Sequence, residues 1–151
     1  MGAFQSNDAH NHPTTDALDL ALEVSVAEGA HPPRYETPSA SQFAICANET
    51  VTVDGCNWAP VRTGLSFGMP FMLILLVRGA GPEWEVEEQV VDYDATDELV
   101  VRVRRPAAGR AEGGLARVVA GTRVALGVVV PIARPAFTFY ASGADDEGEM
   151  V

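Results

Sequence analysis

Apolar and polar residues alternate with a period of two along much of this chain. Over residues 18–26 the apolar Leu18, Leu20, Leu22, Val24 and Val26 are interleaved with Asp19, Ala21, Glu23 and Ser25, the pattern of a strand with one buried face. Short runs rich in β-branched and aromatic residues follow at 43–47, 50–53, 58–65, 71–77, 84–91, 99–104, 115–120, 124–132 and 136–140. Turn-forming residues punctuate them: Glu28-Gly29, Asp54-Gly55 and Gly79-Ala80-Gly81-Pro82. No segment sustains a 3.6-residue period. Many short strands with closely spaced turns predict an all-β sandwich or barrel.

The pattern weakens at both ends. Residues 1–16 are polar and predict a flexible tail, 17–141 a single β domain, and 142–151 a second tail that is Gly-containing and acidic. His10 and His12 in the first tail read as solvated histidines, because no further ligands converge on them.

Composition narrows the function classes. The chain has 151 residues and a formal net charge of −11, which repels phosphodiester backbones and anionic lipid, so neither nucleic acid nor a membrane surface is an expected partner. The longest apolar run, 71–77, suits a buried strand and is far short of the roughly 20 residues of a membrane-spanning helix. No secretory leader pattern is visible, so the two cysteines, Cys46 and Cys56, are expected as free thiols and the protein is not expected to be secreted.

Four stretches, in order, carry a resemblance. Pro33-Arg34-Tyr35-Glu36-Thr37-Pro38-Ser39-Ala40-Ser41-Gln42-Phe43-Ala44-Ile45 is similar to a Thr-Pro-Gly-Ala-Ala-Gly-Tyr-Asp-Leu motif. Val61-Arg62-Thr63-Gly64-Leu65, followed by Met69-Pro70, is similar to Val-Pro-Thr-Gly-Leu and a later Leu-Pro. Val90-Val91-Asp92-Tyr93-Asp94-Ala95-Thr96-Asp97-Glu98-Leu99 is similar to Gly-Val-Ile-Asp-x-Asp-Tyr-x-Gly-Glu-Leu. Gly121-Thr122-Arg123-Val124-Ala125-Leu126 with Val130-Pro131-Ile132 is similar to Gly-Asp-Arg-Ile-Ala-Gln and a trailing Val-Pro-Val. Together they resemble the trimeric dUTPase family over about residues 18–140. The resemblance implies a distorted jelly-roll β-barrel of the dUTPase-like fold, a homotrimer, and sites built between subunits. It extends to the degenerate dUTPase-like proteins of the adenoviral early region four, which implies a viral early protein in the host cell cytoplasm or nucleus.

The departures bear on chemistry. By position Asp92 corresponds to the carboxylate that orients the attacking water as general base, and Arg78, Asp94 and Arg123 correspond to substrate-binding residues, all four now vestigial candidates. Ala44 stands where a carboxylate supports Mg²⁺ on the triphosphate, and offers no oxygen to a hard cation. Gly79 stands near the place of a phosphate-binding Ser, Ala95 in place of the Tyr beneath the deoxyribose, and Leu126 in place of a Gln. The final motif, a Gly-rich arm with Arg and Phe, is replaced by Asp145, Asp146, Glu147 and Glu149, whose charge repels a polyanion. No metal ligand set and no cofactor are expected.

Two readings follow. In the first, the chain is a catalytically degenerate pseudoenzyme, a regulatory protein-interaction module acting on host signalling. Glu149, Met150 and Val151 would then form a protein-binding terminus, since PDZ grooves accept an extended C-terminal strand with an apolar last residue. The alternative is an active dUTP diphosphatase that converts dUTP to dUMP and pyrophosphate with Mg²⁺. A dCTP deaminase finds no matching Ser/Arg/Glu constellation.

Overall fold

The computed structural model describes residues 21–54, 56–107 and 115–142. The expected tails at 1–16 and 142–151 lie outside these residues, apart from Ser142.

Twelve strands form among the described residues. They are β1 (Glu23–Val26), β2 (Arg34–Tyr35), β3 (Phe43–Cys46), β4 (Val51–Asp54), β5 (Ala59–Arg62), β6 (Leu65–Gly68), β7 (Leu73–Gly79), β8 (Glu85–Val86), β9 (Gln89–Val91), β10 (Val100–Arg104), β11 (Leu115–Val118) and β12 (Arg123–Pro131). All ladders are antiparallel. They make a five-stranded sheet ordered β2-β3-β12-β7-β9, a three-stranded sheet β5-β10-β8, and the pairs β1-β6 and β11-β4. Buried residues from both larger sheets and both pairs meet in one apolar cluster, with Ile45, Val53, Val61, Leu65, Leu75, Val101 and Val103 fully enclosed.

The nine-residue β12 organises the largest sheet. It pairs with β3 from Arg123 to Gly127 and with β7 from Ala125 to Pro131. The register shifts between Arg123 and Ala125, and this bulge turns both Val124 and Ala125 inward. Beyond it the alternation is regular. Ala125 and Val129 face the core together with Leu73, Leu75, Val77 and Val91, whereas Leu126, Val128 and Val130 share the opposite face with Ile74, Leu76 and Val90. That outer face is therefore apolar as well. Gly127 is required at the crossing: a Cβ there would lie 2.6 Å from Cε1 and 2.8 Å from Cζ of Phe43.

The strands expected from the pattern are present with shifted boundaries, except at the end. The 58–65 run divides at Thr63-Gly64, where Gly64 takes φ +72° and a Cβ would stand 2.5 Å from that of Ala30. The 84–91 run divides into β8 and β9, because Glu87 N–H still donates to the Arg102 carbonyl (2.9 Å) before the chain crosses to β7. β2, flanked by prolines, was not expected. The 136–140 run is not a strand: among the described residues it has no neighbour to pair with, and Phe137, Phe139 and Tyr140 are 74%, 86% and 84% exposed. Both cysteines are free, as expected.

Replacing Gly127 with Ala should force the Phe43 ring aside and cost about 1–3 kcal/mol. Urea unfolding should show a lower midpoint with an unchanged slope.

Candidate functional site

The register of the five-stranded sheet places four residues in one row on its outer face. Arg34 pairs with Ala44, Ala44 with Leu126, and Leu126 with Arg78. Three stretches remote in sequence thus meet on adjacent strands. The two arginines at the ends are exposed, and between them stand an alanine and a leucine. Arg123 lies at the same end of the sheet. Its guanidinium donates to Glu36 Oε1 (2.7 Å) and to the Ala80 carbonyl (3.4 Å). Cys46, in register with Arg123, has its thiol pKa raised by burial, partly offset by Arg34, raised again by Glu36 and lowered by Arg123.

Asp92 and Asp94 sit at the other end. Leu75 pairs with Val91, so Asp92 leaves the sheet beside Ile74, four residues along β7 from Arg78 and roughly 13 Å away at strand rise. Both carboxylates are exposed, in a turn closed by Ala95 N–H donating to the Asp92 carbonyl (3.1 Å). Tyr93 packs edge-on against Phe71 at 5.1 Å between ring centroids, and the Arg134 guanidinium lies 5.4 Å from the Phe71 ring centre. A cavity of about 190 Å³ opens between Arg134 and the two aspartates. Within one chain, then, the structure brings Asp92 to Asp94 and places Arg78 and Arg123 on one sheet end, but does not join the two pairs. Glu149, Met150 and Val151 lie outside the described residues.

The segment that carries the aspartates is anchored by a residue to which the sequence assigned no role. Glu98 accepts hydrogen bonds from Gly64 N–H (2.7 Å) and from Arg62 Nη2 (2.7 Å) and Nε (3.1 Å). Beside it, Leu99 N–H donates to the Leu65 carbonyl (2.7 Å), and the buried Thr63 hydroxyl donates to the Leu99 carbonyl (2.7 Å) and accepts from Leu65 N–H (3.2 Å). Gly64 takes a left-handed φ at this corner, a conformation that favours glycine. The Arg62 hydrogen bond lowers the Glu98 pKa, burial opposes it, and the Gly64 N–H lowers it further. Between this anchor and β9 lies a cavity of about 160 Å³ lined by Phe67, Val90, Val91, Ala95 and Leu99, with Gln89, Asp97 and Glu98 as its polar groups.

Among the described residues, no three His, Cys, Asp or Glu side chains are grouped so as to hold a metal ion. In the row Ala44 carries only a methyl group, and the two aspartates stand at the far end of the sheet.

No family model and no curated protein matches the chain. Solved structures do. The dUTPase of phage phi11 of S. aureus superposes with a TM-score of 0.70 at 17% identity, over 80% of this chain and 97% of that one. The Staphylococcus bacteriophage 80alpha dUTPase superposes with a TM-score of 0.69 at 18% identity, over 80% and 96% respectively. The class is thereby defined: an all-β protein with the dUTPase fold.

Because folding lowers the Glu98 pKa, the anchor's contribution is fully present above the ordinary Glu value of about 4.3 and is lost as pH falls through the lowered folded value. Glu98→Gln should be less stable than the parent at neutral pH, and the two stability curves should converge in acid. Thermal melts across the acid range read this out.

Proposed function

We propose that this chain is a catalytically degenerate protein of the dUTPase fold, a regulatory module that works by binding other proteins. The observation that carries this reading is the Arg34–Ala44–Leu126–Arg78 row. Where the resembling motifs converge, the row carries two exposed guanidinium groups with the buried Ala44 and the half-buried Leu126 between them, and within it neither a carboxylate to support a metal nor an amide or hydroxyl to hold phosphate; carboxylates stand beside it in Glu36, paired with Arg123, and Glu88, which lines a cavity with Arg78. A fold can outlive its site and serve another role. The 80alpha dUTPase, of the same fold, controls transfer of virulence genes by a proto-oncogenic G protein-like mechanism. In this reading residues 17–141 form the binding scaffold, 1–16 and 142–151 are tails, and Glu149, Met150 and Val151 engage a PDZ groove of a host protein in the cytoplasm or nucleus.

Self-association as a homotrimer belongs to the same proposal. Two features support it: the apolar outer sheet face of Ile74, Leu76, Leu126, Val128 and Val130, and the uncovered Phe137, Phe139 and Tyr140. The face residues are half-buried and the three aromatic side chains are largely exposed, and exposed apolar groups of this kind mark interaction surfaces. Arg78 and Asp92 at opposite ends of one sheet also suit a head-to-tail contact between copies.

A second reading, an active dUTP diphosphatase, is favoured by the open placement of Asp92, Asp94, Arg78 and Arg123, all exposed. In that case Asp92 would hold the attacking water and the arginines the phosphates of a neighbouring copy's substrate, with Mg²⁺ carried by the substrate.

Three measurements separate these readings. Pyrophosphate release from dUTP with Mg²⁺ should stay at background; turnover that Asp92→Asn abolishes would overturn the degenerate reading. Light scattering should give three times the 16.0 kDa chain mass, and Val128→Glu, which puts a charge on the outer face, should give a monomer. A pull-down with the intact chain should recover proteins that a chain lacking Glu149 to Val151 does not; identical recoveries would remove the tail from the recognition surface.

A further inference from the structure

The cavity between β9 and the Glu98 anchor is built like a side-chain pocket. Phe67 and Leu99 form its floor at 4% and 5% exposure, and the small Ala95 leaves it open. Its polar groups are almost all acceptors. Gln89 Nε2 is committed to the Val100 carbonyl (2.9 Å), which leaves the Gln89 carbonyl oxygen free. Glu98 already holds Arg62 and Gly64. Asp97 has no ion pair or hydrogen bond with any described residue and is exposed at the mouth.

Along the sequence the charge of this region is one-sided. Eight carboxylates fall between Glu83 and Glu98, and no arginine or lysine occurs from 79 to 101. Three of the eight are neutralised from neighbouring strands: Glu85 by Arg104, Glu87 by Arg102 and Glu98 by Arg62. Of the remainder, Glu88 lines a cavity with Arg78, and Asp92 and Asp94 line one with Arg134; no arginine or lysine lines the pocket that holds Asp97, whose charge there attracts cations and repels phosphorylated ligands.

We propose that this pocket receives an arginine side chain presented by a protein partner. Its apolar walls would pack along the methylene stem, while Asp97 accepts two parallel N–H donors from the planar guanidinium, with the Gln89 carbonyl oxygen as a further acceptor. A lysine ammonium would not match that fork, and a nucleotide would bring its phosphates into the acidic field. The proposal deepens the protein-binding reading and rests on it, but concerns the barrel and not the tail, so the tail-deletion pull-down and the test below fail separately.

The test uses the full chain and three probes: acetyl-Gly-Arg-Gly-amide, the same peptide with citrulline in place of arginine, and dUMP. Citrulline keeps the shape and removes the charge. NMR titration should show the arginine peptide shifting the amides of Val90, Val91 and residues 95–99. The citrulline peptide should bind at least about tenfold more weakly. Asp97→Asn should cause a similar loss, as should Ala95→Leu, which fills the pocket from its wall; unchanged spectra elsewhere would show that both variants fold. Equal binding of the two peptides, no arginine binding, or tighter binding of dUMP at these same amides would overturn the proposal, and the last result would favour the diphosphatase reading.

Discussion

Strand β12 is hydrogen-bonded along both edges, to β3 on one side and β7 on the other, and most of what is distinctive about this protein depends on that double pairing. From Ala125 to Gly127 the strand has a neighbour on each side, so its register is fixed twice over there. The bulge at its start and the glycine at its middle let it sit close against Phe43 and Leu75. Its register then decides which residues of three strands share a row. Had β12 slipped by one residue, Leu126 would face the core and Ala125 the outside, and the row between Arg34 and Arg78 would not exist.

Charge is distributed along the same frame. Arginines collect at the end of the sheet where β12 begins, and carboxylates where β9 gives way to the turn around Asp92. The chain tolerates the concentration of acid between Glu83 and Glu98 because Arg62, Arg102 and Arg104 approach from β5 and β10. These pairs are largely solvent-exposed and individually weak. Their effect is on placement: the Arg62–Glu98 pair, with the Gly64 N–H, ties the β5–β6 corner to the aspartate-bearing turn and keeps a cavity open beside β9. Among the described residues Asp97 has no ion pair, whereas Asp92 and Asp94 share a cavity with Arg134.

The sequence by itself determined the all-β class, most of the strands, and which functional groups stand at particular positions, because each of these is local. A period of two marks a strand wherever it falls, and Ala44, Ala95 and Leu126 lack a carboxylate, a phenol and an amide in any conformation. The outer apolar face was also legible in part, since Val124 to Val130 is apolar on both sides. What the tertiary structure alone decided is pairing and distance. Residues 136–140 alternate like a strand but find no neighbour, and a strand without a ladder is only an extended chain. The sequence named Asp92, Arg78 and Arg123 as candidates of one kind of site built between subunits; only the sheet register shows that within one chain the aspartate lies at the opposite end from the arginines. Glu98 drew no attention as a single carboxylate, because its partners Arg62 and Gly64 lie 36 and 34 residues away, and only the folded corner brings a left-handed glycine N–H and a guanidinium to the same two oxygens.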